Sequence, residues 1–122
     1  MCQEFEIEKD INPAIANLFA GGLGNTGSVC GAVAGAVMAI GLKKGRGETM
    51  EEMFASLALV QEFRRRFEAE METINCRELT GLDLTTQEGL AQLMSSEETM
   101  GVCFTSVGVA YKLAVDILKE NP

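Results

Sequence analysis

The sequence predicts an all-α protein, built as a single-domain helical bundle of about five helices. Apolar residues recur at steps of three and four positions, and polar residues suited to helix capping precede these segments. No run of alternating β-branched residues indicates a strand. A chain of 122 residues, 47% of them hydrophobic, is large enough for one core of its own. We therefore interpret residues 1–122 as one domain, in which 1–11 is a tail or a shortened N-terminal helix.

The first two predicted helices lie on either side of a glycine-rich loop. Asn12 can cap a short helix opened by Pro13 and ended by Gly21-Gly22, because proline favours the first helical position and glycine the C-terminal cap. Ser28 can cap the second helix, which we expect to run to about Leu42 and to stop at the lysine–glycine corner that follows.

Three further helices are predicted to begin at capping boxes, in which threonine or serine is followed three positions later by glutamate. The third helix is long and reaches about residue 73, the fourth is short and runs through residue 94, and the fifth covers the C-terminal region. The capping pairs are Thr49 with Glu52, Thr85 with Glu88, and Ser95 with Glu98.

Two of these helices carry an apolar stripe, the face that an amphipathic helix turns towards a core. The stripe of the third predicted helix is Met50, Met53, Phe54, Leu57, Val60, Phe67 and Met71. The stripe of the last is Met100, Phe104, Val107, Tyr111, Ala114 and Leu118.

Charge and composition exclude several classes of function. A net charge of −8 opposes binding to nucleic acid or to anionic membranes. The absence of histidine excludes a histidine-based catalytic triad, Cys/His zinc sites and the attachment sequence of c-type haem. The first residues are acidic where a secretory signal is basic, so we expect a cytoplasmic protein. The apolar run Val29–Leu42 has 14 residues, which suits a buried helix better than a membrane span.

The four cysteines are the main candidates for chemistry. Cys30 lies where the glycine loop meets the second predicted helix, and the partial positive charge of a helix start stabilises a thiolate. Cys76 lies between predicted helices and Cys103 near the start of the last one. Because no CxxC pair is present, local zinc-ribbon and thioredoxin-type signals are missing. The alternative interpretation is that these cysteines are small buried hydrophobic residues.

Glycines around Cys30 suggest close approach of another group. The loop contains one G-x-G-x-x-G match, from Gly22 to Gly27, but that dinucleotide fingerprint requires a preceding strand that this sequence does not predict. Gly27, Gly31, Gly35 and Ala39 recur every four residues and would form a bare helix face. Such a face suits close helix packing, including that of a symmetric homodimer, or a flat cofactor. The candidate cofactor-binding positions are Gly22, Gly24, Gly27 and Gly31.

Together these segments resemble a known family. Cys30-Gly31-Ala32-Val33-Ala34-Gly35 fits a CGAxxG motif, Cys76-Arg77-Glu78-Leu79-Thr80-Gly81 follows, and Cys103 precedes an amphipathic helix. The chain is similar, from about Ala16 to its C-terminus, to small redox-active proteins defined by four cysteines and CGAxxG, a domain also found in split-Soret-type cytochromes. The resemblance implies a redox role and an association with transport, but no particular reaction.

Residue by residue, the resemblance implies functional roles for Cys30, Cys76 and Cys103. Cys2 departs from the family pattern, since the family's first cysteine lies in an additional N-terminal helix. Our leading hypothesis is thiol–disulfide exchange with a protein or small redox partner, in which Cys30 is the reactive thiolate and Cys76 or Cys103 resolves.

Two alternatives belong to other classes of function. The first is a metal or iron–sulfur site held by Cys30, Cys76 and Cys103, for which Cys2 is the least secure ligand. The second is a helical interaction or assembly module, such as a homodimer, in which the cysteines only fill the core.

Overall fold

The computed structural model describes residues 13–45 and 47–122, and over these residues the fold is all-α, as predicted. A 3-10 helix and six α-helices follow one another, where the sequence predicted about five helices. The predicted cap Asn12, the candidate ligand Cys2 and the proposed tail lie outside the described residues. The elements are the 3-10 helix Pro13–Phe19, α1 Ala20–Leu23, α2 Gly31–Lys44, α3 Met50–Met71, α4 Cys76–Thr80, α5 Gln87–Ser95 and α6 Glu97–Glu120.

The N-terminus of α2 differs from the prediction, because the helix begins at Gly31 and its N-cap is Cys30 rather than Ser28. The preceding residues are held extended by another segment of the chain. The N–H of Cys30 donates to the carbonyl oxygen of Ile74 at 2.7 Å, and the N–H of Cys76 donates to that of Ser28 at 2.7 Å. These two hydrogen bonds leave Ser28 outside the helix that it was predicted to cap.

The predicted cap of α3 is confirmed. Thr49 Oγ1 accepts a hydrogen bond from the N–H of Glu52 at 3.1 Å, and the Glu52 carboxylate reaches back to the N–H of Glu48. Both interactions satisfy N–H groups that would otherwise lack partners at a helix start. The helix ends at Met71, where Glu72 takes a left-handed conformation, two residues before the predicted end.

Helices α5 and α6 begin one residue later than predicted, with Thr86 and Ser96 as N-caps in place of Thr85 and Ser95. The predicted caps are engaged elsewhere. The hydroxyl of Thr85 donates to the carboxylate of Asp83, and the Ser95 hydroxyl donates to a carbonyl one turn earlier in α5. These local hydrogen bonds occupy the hydroxyl groups of Thr85 and Ser95, so the next residue in each case caps the helix.

The core lies between α2, α3 and α6. Phe63 and Phe67 of α3 are fully buried, and their rings stack with centroids 6.0 Å apart. Helix α2 contributes Val33, Ala36 and Ile40, and α6 contributes Ala110, Leu113, Ala114, Ile117 and Leu118.

Hydrogen bonds at the helix ends show how these three helices run. Cys30, at the start of α2, bonds to Ile74 just after the end of α3, so α2 and α3 are antiparallel. Lys44, at the end of α2, donates to the carbonyl oxygen of Asn121 just after α6, so α2 and α6 are parallel. Helix α3 has 22 residues against 14 in α2, and this difference of eight residues corresponds to about 12 Å. The N-terminal part of α3 therefore extends beyond α2.

The predicted apolar stripe of α3 is partly wrong, because its N-terminal part lies on this extension. Four residues of the stripe are exposed: Met50, Met53, Phe54 and Leu57. The part of α3 that packs in the core is its C-terminal half.

The predicted stripe of α6 is also partly wrong, since Phe104, Val107 and Tyr111 are exposed. The adjacent face is buried instead. It carries the small residues Ser106 and Ala110, which allow α2 to approach closely.

Among the described residues, α6 is the one helix that is long and apolar enough to cross a membrane. The most apolar part of α6 has a mean hydropathy of 1.5, and 39% of that part is buried inside the protein. Core helices meet the same criterion of length and composition, and α6 packs against α2, α3, α4 and α5.

Truncation of a core aromatic residue tests this architecture. Phe67→Ala should lower the free energy of unfolding by about 3–5 kcal/mol, because it removes a fully buried ring. Phe54→Ala is the matched control in the same helix, at a residue that is 59% exposed, and should change stability by less than about 0.5 kcal/mol. Urea denaturation followed by circular dichroism measures both, and equal losses would contradict the assignment of the core.

Candidate functional site

Three cysteines distant in sequence line one cavity of about 270 Å³. Cys30 comes from the start of α2, Cys76 is the first residue of α4, and Cys103 lies in the second turn of α6. All three are free thiols. The structure thus brings together the cysteines that the sequence singled out within the described residues.

The Cys30 side chain is half-buried at the N-terminal end of α2 and makes no capping hydrogen bond. The backbone N–H groups of this first helical turn give the position a partial positive charge. Helix N-termini are among the environments in which reactive cysteines occur.

Cys76 is the first residue of a short helix that the sequence did not predict. The sequence pattern had placed this cysteine between two helices. Helix α4 has five residues, too few to show an apolar period, and Asn75 is its N-cap. Cys76 is 8% exposed, and the hydroxyl of Thr80 donates to its carbonyl oxygen at 2.9 Å. One feature of the sequence could have indicated this helix. Gly81 ends α4 in a left-handed conformation, and glycine is the residue that most often does so at the end of a helix.

Gly22 is the residue that allows the glycine loop to lie against Cys76. It has φ +73°, a conformation that favours glycine. A Cβ at this position would lie 2.7 Å from the Cβ of Cys76 and 2.6 Å from the backbone nitrogen of Ser28. Because neither neighbour can yield easily, any side chain here would push the loop away from the cavity.

Burial raises the pKa of the Cys76 thiol above its ordinary value, and the nearby sulfurs of Cys103 and Cys30 raise it further. The hydrogen bond with Thr80 acts in the opposite direction. Burial also raises the pKa of Cys103, with a further contribution from Cys30. Cys76 and Cys103 therefore keep their protons at neutral pH.

No charged side chain of the described residues lines the cavity. Arg77 follows Cys76 directly, but its guanidinium lies 3.9 Å from the carboxylate of Asp83 and the residue is not part of the cavity wall. The described part of the cavity wall therefore brings no side-chain cation to the cysteines.

Two of the four candidate cofactor-binding glycines line the cavity, and the other two do not. Gly22 and Gly31 line the cavity. The N–H groups of Gly24 and Gly27 instead donate to carbonyl oxygens of the chain itself, at 2.8 and 3.1 Å. Since a phosphate-binding loop directs such groups at its ligand, this loop does not form a phosphate cradle here.

The predicted four-residue glycine repeat is not one helix face. Gly27 lies before α2 and has φ +74°, so only the later members belong to the helix. A Cβ on Gly31 would lie 3.2 Å from the carbonyl oxygen of Phe19, whereas one on Gly35 would meet no atom within 4 Å. The chain's own 3-10 helix thus approaches Gly31.

The donor set for a metal is incomplete in the described residues. No group of three or more histidine, cysteine, aspartate or glutamate side chains in 13–45 and 47–122 is arranged so that it could hold a metal ion. Cys2, the fourth candidate, lies outside these ranges. The metal or iron–sulfur site stays a prediction.

Comparison with known proteins gives one finding. A family model described as "Putative redox-active protein (C_GCAxxG_C_C)" matches residues 1–117, a range that includes all three cysteines of the cavity. No curated protein and no solved structure matches the chain.

The contact between Gly22 and Cys76 gives a test of the site. Gly22→Ala should lower the free energy of unfolding by more than about 1 kcal/mol, because it combines left-handed strain with a clash. Gly35→Ala is the matched control, at an exposed position inside α2 where alanine should stabilise by about 0.5–1 kcal/mol. Urea denaturation distinguishes them, and a neutral Gly22→Ala would show that the loop does not lie against Cys76.

Proposed function

The chain belongs to the C_GCAxxG_C_C family of redox-active proteins, and on this premise we propose that it is a cytoplasmic thiol–disulfide exchange protein. The observation that carries the proposal is the convergence of Cys30, Cys76 and Cys103 on one cavity. Exchange needs an attacking thiolate and a second thiol within reach, and the cavity wall supplies three sulfurs. The cytoplasm keeps thiols reduced, which suits a protein whose three described cysteines are free.

We assign the attack to Cys30. Its side chain is half-buried, lines the cavity and lies at the N-terminus of a 14-residue helix. Burial raises the pKa values of Cys76 and Cys103, so these two cysteines remain thiols until the second step.

The reaction conserves atoms and electrons. The Cys30 thiolate attacks one sulfur of a disulfide, whose sulfur–sulfur bond breaks, and the released half takes up a proton as a thiol. Cys76 or Cys103 then loses its proton and attacks the Cys30 sulfur, which releases the second half as a thiol. The protein ends with one disulfide, and the substrate disulfide has been reduced to two thiols.

The other two hypotheses are separated by simple measurements. Elemental analysis and an absorption spectrum of anaerobically purified protein test for a metal or cluster. Serine at all four cysteines would abolish exchange and would leave an assembly function intact.

Alkylation at graded pH tests the assigned roles. In the folded, reduced protein we expect Cys30 to react first with iodoacetamide at pH 7. Cys76 and Cys103 should react slowly until the pH exceeds 9.0, because a raised pKa leaves less thiolate at any given pH.

Peptide mass spectrometry gives the rate at each cysteine, and the urea-unfolded chain is the control. If Cys30 labels no faster in the folded protein than in the unfolded one, it is not the attacking thiolate.

Oxidation gives a second test of the proposal. A disulfide between Cys30 and Cys76 would close a loop worth about 4 kcal/mol if it formed without strain. We expect much less, because the disulfides of exchange sites are strained and easily reduced, whereas structural ones are not. Unfolding midpoints of oxidised and reduced Cys2→Ser protein measure the gain. The full 4 kcal/mol would identify a structural disulfide instead of an exchange site.

A further inference from the structure

The cavity around the cysteines is apolar, and among the described residues it offers no unused hydroxyl donor. Leucine and valine side chains from α4, α5 and α6 line it, together with the glycines and alanines of the loop and α2. Its two hydroxyl groups are already engaged. Thr80 donates to the carbonyl oxygen of Cys76 at 2.9 Å, and Ser106 donates to that of Val102 at 2.9 Å.

The surrounding charge adds a second restriction. The protein carries a net charge of −8, and no cation among the described residues lines the cavity. A carboxylate or sulfonate brought into this space would lose its hydration and meet no side-chain cation of the described residues. The partial positive charge at the start of α2 offsets only part of that cost, because a helix N-terminus carries only a fraction of a unit charge. Charged disulfides, including peptide disulfides with free carboxylates, are therefore disfavoured.

The volume limits size as well. The cavity volume of about 270 Å³ lies just below the usual range for ligand pockets in proteins, which is about 300–1,000 Å³. The disulfide of a folded protein partner would have to bring the surrounding backbone with it, and a cavity of this size has no room for that backbone.

We propose that the disulfide reduced at this site is a small, uncharged, apolar molecule. This inference rests on the proposed function, since it names the substrate class of the same site. The Cys30 thiolate attacks one sulfur of the neutral disulfide, whose bond breaks and whose halves leave as two neutral thiols, while Cys30 and Cys76 or Cys103 become oxidised to a disulfide.

Val107 provides a position at which to test this selectivity. It lines the cavity, is 57% exposed and follows Cys103 by one helical turn, so it lies at the mouth. Tyr111 lies one further turn along α6, is 45% exposed and does not line the cavity. Val107→Lys adds a cation to the mouth, and Tyr111→Lys adds the same charge outside it.

The experiment compares two chromogenic aromatic disulfides, the uncharged 4,4′-dithiodipyridine and the dianionic 5,5′-dithiobis(2-nitrobenzoate). Each reacts in stopped flow with reduced Cys2→Ser protein in 0.15 M salt, which screens charges beyond about 8 Å. Each rate is divided by the rate of the same reagent with the urea-unfolded chain at the same salt concentration. Peptide mapping of the product identifies the cysteine attacked.

We expect the normalised rate at Cys30 to be at least tenfold higher for the uncharged reagent. Val107→Lys should raise the normalised rate of the dianion at least threefold. The fractional increase in that rate caused by Tyr111→Lys should be less than half of the increase caused by Val107→Lys. Circular dichroism verifies that both variants fold, and the comparison of reagents on the parent protein stands without them.

Each contrary result has a distinct meaning. Equal normalised rates for the two reagents, with Cys30 attacked in both cases, would overturn the substrate class and leave thiol–disulfide exchange standing. Equal effects of the two lysine variants would show that selectivity arises from overall charge and not from the cavity. No attack at Cys30 by either reagent would overturn the proposed function itself.

Discussion

The backbone pairing of residues 28–30 with residues 74–76 is the constraint on which the candidate site depends. Two backbone hydrogen bonds of 2.7 Å join them, from Cys30 to Ile74 and from Cys76 to Ser28. This pairing ends the glycine loop, sets the first residue of α2 and places two cysteines 46 positions apart in sequence on the same cavity. Gly22 permits it, because only a residue without Cβ fits against Cys76.

The roles that we propose for the cysteines rest on their different environments. Cys30 lies at a helix N-terminus, whereas burial raises the pKa values of Cys76 and Cys103. In the proposed exchange one sulfur attacks and another resolves. The apolar surroundings that raise those pKa values are also the reason for which we propose an uncharged substrate.

Helical periodicity and capping residues were sufficient to predict the fold class and most helices, because both are local properties of the chain. The residues that cap α5 and α6 were predicted one position too early. Thr85 and Ser95 make other hydrogen bonds, and a sequence pattern does not show which of two adjacent capping residues is free to cap.

The exposed part of α3 could not be predicted, because its exposure depends on the shorter α2 beside it. The candidate cysteines were singled out by their positions at predicted helix starts and between helices, and then by resemblance to a family. Their common cavity depends on α4 and on backbone pairing between distant segments, for which the sequence has no periodic signal.

The most direct test of the central claim is a map of the disulfide formed when reduced Cys2→Ser protein reacts with one equivalent of a small neutral disulfide. The intact mass should fall by about two hydrogens per chain with no retained adduct, as expected for attack followed by resolution within the chain. The non-reducing peptide map should join Cys30 to Cys76 or Cys103. A stable mixed disulfide on another cysteine, or a bond between two chains, would contradict a shared exchange site.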